Sequence, residues 1–201
     1  MKYKIIENCS PYYIRFTHTD IDKIFEIANG VLNTNSFERV YGKEGKFTHC
    51  KMDKFTMNRL LDTTPVSKDI NLYVNGMFVT YPGHYYRAHK DALNHKFSIN
   101  YTVSILDDKC ITSWYSDKDL EQYQMDYMGG ISREASGFDK SKHTPLKSMT
   151  AVQGECVLFN TEIFHDFDNT RSTNKRAVLT LRSTTPDLFY FEDASIMLFG
   201  R

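Results

Sequence analysis

The chain has 201 residues, 41% hydrophobic and 25% charged, which is long enough for one well-buried domain and short for two. Its formal net charge is zero; that argues against a nucleic-acid partner, because proteins held by phosphates usually carry a basic excess. The opening MKYKIIENCSPYYIRF has no continuous apolar stretch of signal-peptide length, and no later run approaches a membrane span, so a soluble cytoplasmic protein is expected.

The first third, about residues 1–65, reads as helical. DIDKIFEIANGVL places Ile21, Ile24, Phe25, Ala28, Val31 and Leu32 on one face at helical spacing, with Thr19 or Asp20 as the N-cap. MDKFTMNRLLD predicts a second, shorter helix carrying Phe55, Leu60 and Leu61. From about residue 70 the period changes to two. NLYVNGMFVTY reads as two short β runs around an Asn75-Gly76 hairpin turn. KFSINYTVSIL alternates Phe97, Ile99, Tyr101, Val103 and Ile105 with polar residues, the pattern of a half-buried strand. CITSWY, ECVLFN and RAVLTLRS predict three more strands. Several strands without intervening helices imply an antiparallel sandwich or barrel. The polar interval Asp117–Met149, broken by Gly129-Gly130 and holding at most one helix near DLEQYQMDYM, reads as a lid, a binding loop or a mobile insertion. The four cysteines, Cys9, Cys50, Cys110 and Cys156, form no CxxC pair and read as free thiols of a reducing cytosol.

Chemistry concentrates in HYYRAHKD. On a strand, His89 and Asp91 point to the same face, so an imidazole and a carboxylate converge. One further imidazole would complete the two-His, one-carboxylate facial triad that suits iron(II) by leaving adjacent positions open. The pair alone is a frequent chance pattern; a second, His18-Thr19-Asp20, reads as a helix start. Downstream, GECVLFNTEIFHDFDNTRSTNKRAVLTLRS reads as strand, turn, strand, polar loop, strand, with His165 in the second strand and Arg176 opening the third. Arg176, Val178, Thr180 and Arg182 share one face of that third strand. Such arginines are either solvated, paired with acidic side chains, or set to bind an anion such as a dicarboxylate. His84 and His95 flank the ligand pair and read as exposed or supporting groups. His143 reads as solvated, and Trp114 and Tyr115 read as packing or as a stacking platform for a substrate.

The order H-x-D, a gap of roughly seventy residues, His, then Arg about ten further on resembles the Fe(II)/2-oxoglutarate-dependent dioxygenase superfamily over roughly Tyr81 to Arg182. YPGHYYRAHKD, with Gly83 and Tyr86, is similar to its prolyl-hydroxylase-type branch, and HKDALNHKFSINYTVSI resembles small hydroxylase-like proteins, some phage-encoded. RAVLTLR is similar to the double-arginine strand of the AlkB nucleobase dioxygenases, with Val178 where that motif has Asn. The resemblance implies a double-stranded β-helix (jelly roll, cupin-like) over about 70–190, within a single oxygenase domain spanning 1–201. It also implies iron(II) on His89, Asp91 and His165, with 2-oxoglutarate and O2 as cosubstrates. Arg176 would bind the far carboxylate of 2-oxoglutarate, Arg182 would assist, and Tyr81, Tyr86 and Asn100 are candidate hydrogen-bonding partners. The Asp91 carboxylate, where related halogenases carry a small residue, points to hydroxylation of a small molecule, an amino acid or a protein side chain. A nucleobase dioxygenase and a non-catalytic cupin-like binding module are the alternatives.

Overall fold

A computed structural model describes residues 2–34, 39–41, 47–50, 52–91, 96–128, 132–184 and 190–200. The chain opens with β1 (Tyr3–Cys9) and β2 (Tyr13–His18), then α1 (Ile21–Thr34), β3 (Arg39–Tyr41), β4 (Phe47–Cys50), α2 (Lys54–Thr63) and α3 (Val66–Asp69). It continues through β5 (Leu72–Thr80), β6 (Tyr85–Lys90), β7 (Phe97–Ser104), β8 (Ile111–Trp114), α4 (Asp117–Leu120), β9 (Met125–Met128), β10 (Ser132–Ala135) and β11 (Lys147–Thr150). It closes with β12 (Cys156–Asn160), β13 (His165–Asp168), β14 (Arg176–Ser183) and α5 (Phe191–Phe199).

All strand pairings among the described residues are antiparallel. They build an eight-stranded sheet in the order β1-β2-β12-β7-β14-β5-β4-β3 and a six-stranded sheet in the order β11-β8-β13-β6-β10-β9. From β5 to β8 the chain alternates strand by strand between the large and the small sheet, and β11 to β14 repeat the alternation in reverse. That winding is a double-stranded β-helix, as the resemblance implies, and the fold is mainly β. The outer face of the large sheet packs against the helices: Ile24, Ala28 and Val31 of α1, Leu60 of α2 and Phe191, Ala194 and Leu198 of α5 join Ile99, Tyr101, Leu158, Leu179 and Leu181 in one core. A second cluster, Tyr13, Trp114, Met149, Val157 and Phe159, joins the two sheets. No helix among the described residues is long and apolar enough to cross a membrane.

Several local readings change. The first third contains the β1–β2 hairpin as well as helices, and β2 pairs with β12 of the large sheet. α1 forms as its periodicity predicts, with the carbonyl of Asp20 accepting from Lys23 and Ile24. α2 is capped by the Asp53 carboxylate, which accepts from the Thr56 amide, and it buries Leu60; Phe55 faces outward and is 78% exposed. β7 is buried on both faces, not one. Its polar residues Ser98, Asn100 and Thr102 pair directly with Arg182, Thr180 and Val178 of β14, so they line the interior between the sheets. The interval after Asp117 is not a bare loop: β9 and β10 extend the small sheet beyond β6, and β11 pairs with β8. Gly129-Gly130 lies outside the described residues.

The Asn75-Gly76 turn does not form. β5 runs continuously through it, and the pairing with β14 skips Asn75, a bulge that turn residues accommodate as readily as a hairpin. Gly76 has φ 148°, and a Cβ there would overlap the ring of His49, whose Nε2 contacts the Asn75 carbonyl at 3.1 Å. Gly76→Ala is therefore expected to lower stability by about 1–3 kcal/mol from backbone strain alone. His49→Ala in the same chain should recover only the steric part, as urea unfolding of the single and double variants would measure.

Behind the large sheet, buried His18 contacts the Thr19 carbonyl through Nδ1 and the Tyr101 hydroxyl through Nε2 at 2.9 Å, and that hydroxyl also contacts Thr64 Oγ1 at 2.7 Å. Burial lowers the His18 pKa, with the Thr19 carbonyl opposing. The unfolded chain then takes up the proton first, so this histidine contributes stability above about pH 6.5 that is lost as pH falls towards its folded value. Urea midpoints between pH 7.5 and 5 are expected to fall less steeply in His18→Gln than in wild type.

Candidate metal centre

β6 carries His89 near its end and Asp91 just beyond it, and β13 begins with His165. In the β6–β13 pairing His165 sits directly opposite His89, which sets the two imidazoles on the same face with ring centroids 4.4 Å apart. One ligand atom from each of His89, Asp91 and His165 lies within 4.8 Å of the others, a spacing that lets all three reach one cation. His89 Nε2 stands 3.6 Å from Asp91 Oδ1.

Both imidazoles are oriented from behind. His89 Nδ1 contacts the Arg87 carbonyl and His165 Nδ1 the Ile163 carbonyl, each at 2.8 Å. A carbonyl only accepts, so each Nδ1 carries a proton, and Nε2 is left as the nitrogen turned to where a metal would bind. Burial, with His89 beside it, pushes the His165 pKa down to about 3, which keeps that ring neutral. For Asp91 burial works upwards, but the Arg182 guanidinium and His89 outweigh it and hold the carboxyl well below its usual range. Arg182 Nη2 donates to Asp91 Oδ2 at 2.7 Å. Aromatic rings wall the group: Tyr86 lies 4.4 Å from the His89 ring, Phe159 4.8 Å from His165 and Phe167 5.5 Å from His165.

Arg176 opens β14 on the facing wall, in the large sheet, and reaches across the interior to Phe167 of β13. It is 5% exposed, its guanidinium carbon lies 4.7 Å from the Phe167 ring centroid, and its Nε has no hydrogen-bond partner. Among the described residues no carboxylate pairs with it. Burial lowers its pKa, opposed only by the Cys110 thiol. A buried guanidinium without an anion is costly, so the position suits an anionic ligand. Asn100 Oδ1 is a second buried group without a partner on the same interior wall.

The remaining sequence candidates divide. Tyr86 stands beside His89, whereas Tyr81 packs with the helix-side core under Lys175, because strand alternation turns it away from Thr80 and the interior. His84 contacts the Pro82 carbonyl in the turn before β6. His143 is not simply solvated: its Nε2 bonds the Tyr123 hydroxyl at 2.9 Å and its ring stacks on Phe138. His95 lies outside the described residues. Trp114 is fully buried and stacked on Tyr13, and the Tyr115 hydroxyl donates to Asp166, so both pack. The four cysteines are free. Sequence reasoning missed Tyr73, opposite Arg182 and within the fields of Arg182 and Asp91; reading β5 as one strand would have found it. It also missed Glu134, opposite His89 on β10 and paired with Arg87 at 3.2 Å.

No family model matches the sequence, and no curated protein matches it. The fold is similar to SnoK, a non-heme alpha-ketoglutarate-dependent carbocyclase from nogalamycin biosynthesis, with a TM-score of 0.54 at 11% identity over 90% of this chain and 86% of that one. It is also similar to the epimerase SnoN in complex with Fe3+, alpha-ketoglutarate and nogalamycin RO, with a TM-score of 0.55 at 12% identity over 86% and 79%. An oxidoreductase of the 2OG-Fe(II) oxygenase family from Burkholderia pseudomallei gives a TM-score of 0.51 at 9% identity over 79% and 76%. At these identities the likeness establishes the jelly-roll fold.

The three-ligand geometry carries a direct expectation. Co(II) at a hundredfold excess over its dissociation constant should stabilise the protein by about 2.7 kcal/mol, a shift of several degrees in Tm for a chain of this size. Differential scanning fluorimetry should show that shift in wild type and lose it in His165→Ala.

Proposed function

We propose that the chain is an Fe(II)/2-oxoglutarate-dependent oxygenase, acting as a single domain, that hydroxylates a C–H bond of a small molecule, an amino acid or a protein side chain. The observation that carries this reading is the pairing of a His89–Asp91–His165 donor set on the small sheet with a buried, anion-free arginine, Arg176, on the facing wall of the large sheet. Two imidazoles and one carboxylate suit iron(II) and leave adjacent coordination positions open. A guanidinium fits a carboxylate with two parallel hydrogen bonds, so Arg176 would take the far carboxylate of 2-oxoglutarate, and the Asn100 side chain would offer a further polar contact. When bound, iron(II) and 2-oxoglutarate supply oxidising power by coupling decarboxylation of the keto acid, with release of succinate and CO2, to reduction of O2.

The chain's own residues do the rest. The two backbone carbonyls behind His89 and His165 fix the tautomers and aim both Nε2 atoms inwards. Phe159, Phe167 and Tyr86 keep water from the ligand side chains and hold their rings in place. The Asp91 carboxylate fills the position that a halogenase would leave for chloride, which favours hydroxylation. The net charge of zero gives the nucleobase alternative little support.

Anaerobically reconstituted protein given iron(II), ascorbate, 2-oxoglutarate and air is expected to release succinate slowly even without a substrate, and Asp91→Ala to release none. Equal succinate from both, or none from wild type, rejects the enzyme and leaves the cupin-like binding module. Loss of the charged contact in Arg176→Met is worth about 1.5–3 kcal/mol, so 2-oxoglutarate half-saturation should rise roughly 10- to 100-fold.

A further inference from the structure

The two arginines of β14 share one face, yet only Arg176 is without an anion. Arg182 spends its Nη2 on Asp91 Oδ2 at 2.7 Å, with side chains only 12% and 14% exposed. Asp91 lies one residue beyond the end of β6, so no strand ladder fixes its side chain. Arg182 reaches it from the opposite sheet, and its grip leaves Oδ1 turned to His89 Nε2. From this geometry we infer that Arg182 is a positioning residue for the metal site: by holding one oxygen of Asp91 it presents the other to the cation, and it does not serve as the cosubstrate arginine. The inference rests on the reading of His89, Asp91 and His165 as ligands.

Two opposing effects bear on it. A guanidinium near a cation site repels the cation, so its charge alone would weaken binding. Orientation acts the other way, because a free carboxylate must be ordered at each binding event, and groups that hold a ligand from behind are typically worth 10- to 100-fold in metal affinity. Arg182→Met keeps length and removes both charge and donors, so it separates the two. Positioning predicts weaker binding in the variant; charge alone predicts tighter. The Arg182 Nε, which has no partner, leaves open one donor with which the residue would reach an incoming carboxylate instead, and this too is measurable.

The test is a Co(II) titration followed by the visible absorption of the bound ion, with 2-oxoglutarate affinity then measured calorimetrically at saturating Co(II). Arg182→Met is expected to bind Co(II) roughly 10- to 100-fold more weakly, to give an altered absorption spectrum, and to leave 2-oxoglutarate affinity within about threefold. Arg176→Met should show the reverse pattern. Arg182→Lys retains the charge and one donor, so it should keep the fold and recover part of the Co(II) affinity even if the methionine variant fails to fold. Co(II) binding in Arg182→Met as tight as wild type or tighter overturns the inference. So does a tenfold loss of 2-oxoglutarate affinity in either Arg182 variant with Co(II) binding unchanged. Wild type that binds no Co(II) instead sinks the underlying reading of the three ligands, a distinguishable failure.

Discussion

The register between β6 and β13 is the constraint on which the site depends. His165 faces His89 directly, and side chains on a strand alternate with a period of two, so a slip of one residue would send His165 to the other face of the sheet. The same pairing contains a bulge: between its two ends β6 uses His89 and Tyr86 where β13 uses His165 and Phe167. The extra residue lets Tyr86 as well as His89 look inwards while Ala88 packs on the outer side with Tyr115 and Phe164. One local irregularity thus supplies the aromatic wall and keeps the ligand geometry.

Interior polarity is the second feature that needs a cause. A sheet packed against another sheet ordinarily buries apolar residues between them. Here the large sheet presents Ser98, Asn100, Thr102, Thr180, Arg176 and Arg182 inwards from β7 and β14, keeps its inward apolar cluster at the β2–β12 end, and turns its larger apolar face to the helices. Burying polar groups without partners is unfavourable, and Arg176 Nε, Arg182 Nε and Asn100 Oδ1 remain without partners. The helix-side core stabilises a scaffold that can carry this cost. Stability and chemistry are therefore divided between the two faces of one sheet.

Much of this was legible in the sequence, for identifiable reasons. Strands β7, β8, β12 and β14 follow from alternation, and α1 and α2 from helical spacing, with a start signal read for α1, because those patterns express burial that the fold requires. The convergence of His89, Asp91 and His165 was legible from the order H-x-D, His, Arg that carries the family resemblance, and not from the H-x-D pair alone. What was lost depended on partners distant in the chain. Asn75-Gly76 carries hairpin chemistry, but the long β14 partner holds β5 straight and uses the glycine for a bulge. β1 and β2 are strands because β12 offers an edge to β2. The polar side of β7 looked solvated because nothing local reveals a second sheet above it.

Arg176 and Arg182 make the same point about function. By sequence they are two arginines on one face of one strand, six residues apart and chemically equal. What separates them is the position of Asp91, which only the folding of β6 against β13 and the return of β14 determine. One guanidinium meets a carboxylate, and the other meets an aromatic ring and a thiol. Electrostatics then distinguishes them more sharply than position does: a paired buried charge is already satisfied, and an unpaired one remains a demand for a ligand. Two further side chains owe their place to the same cause. Glu134, set opposite His89 by β10, and Tyr73, set opposite Arg182 by β5, are placed beside site residues through pairings rather than through any motif of their own. The strands set beside β6 and β14 therefore choose which side chains stand next to the three clustered groups and the two arginines.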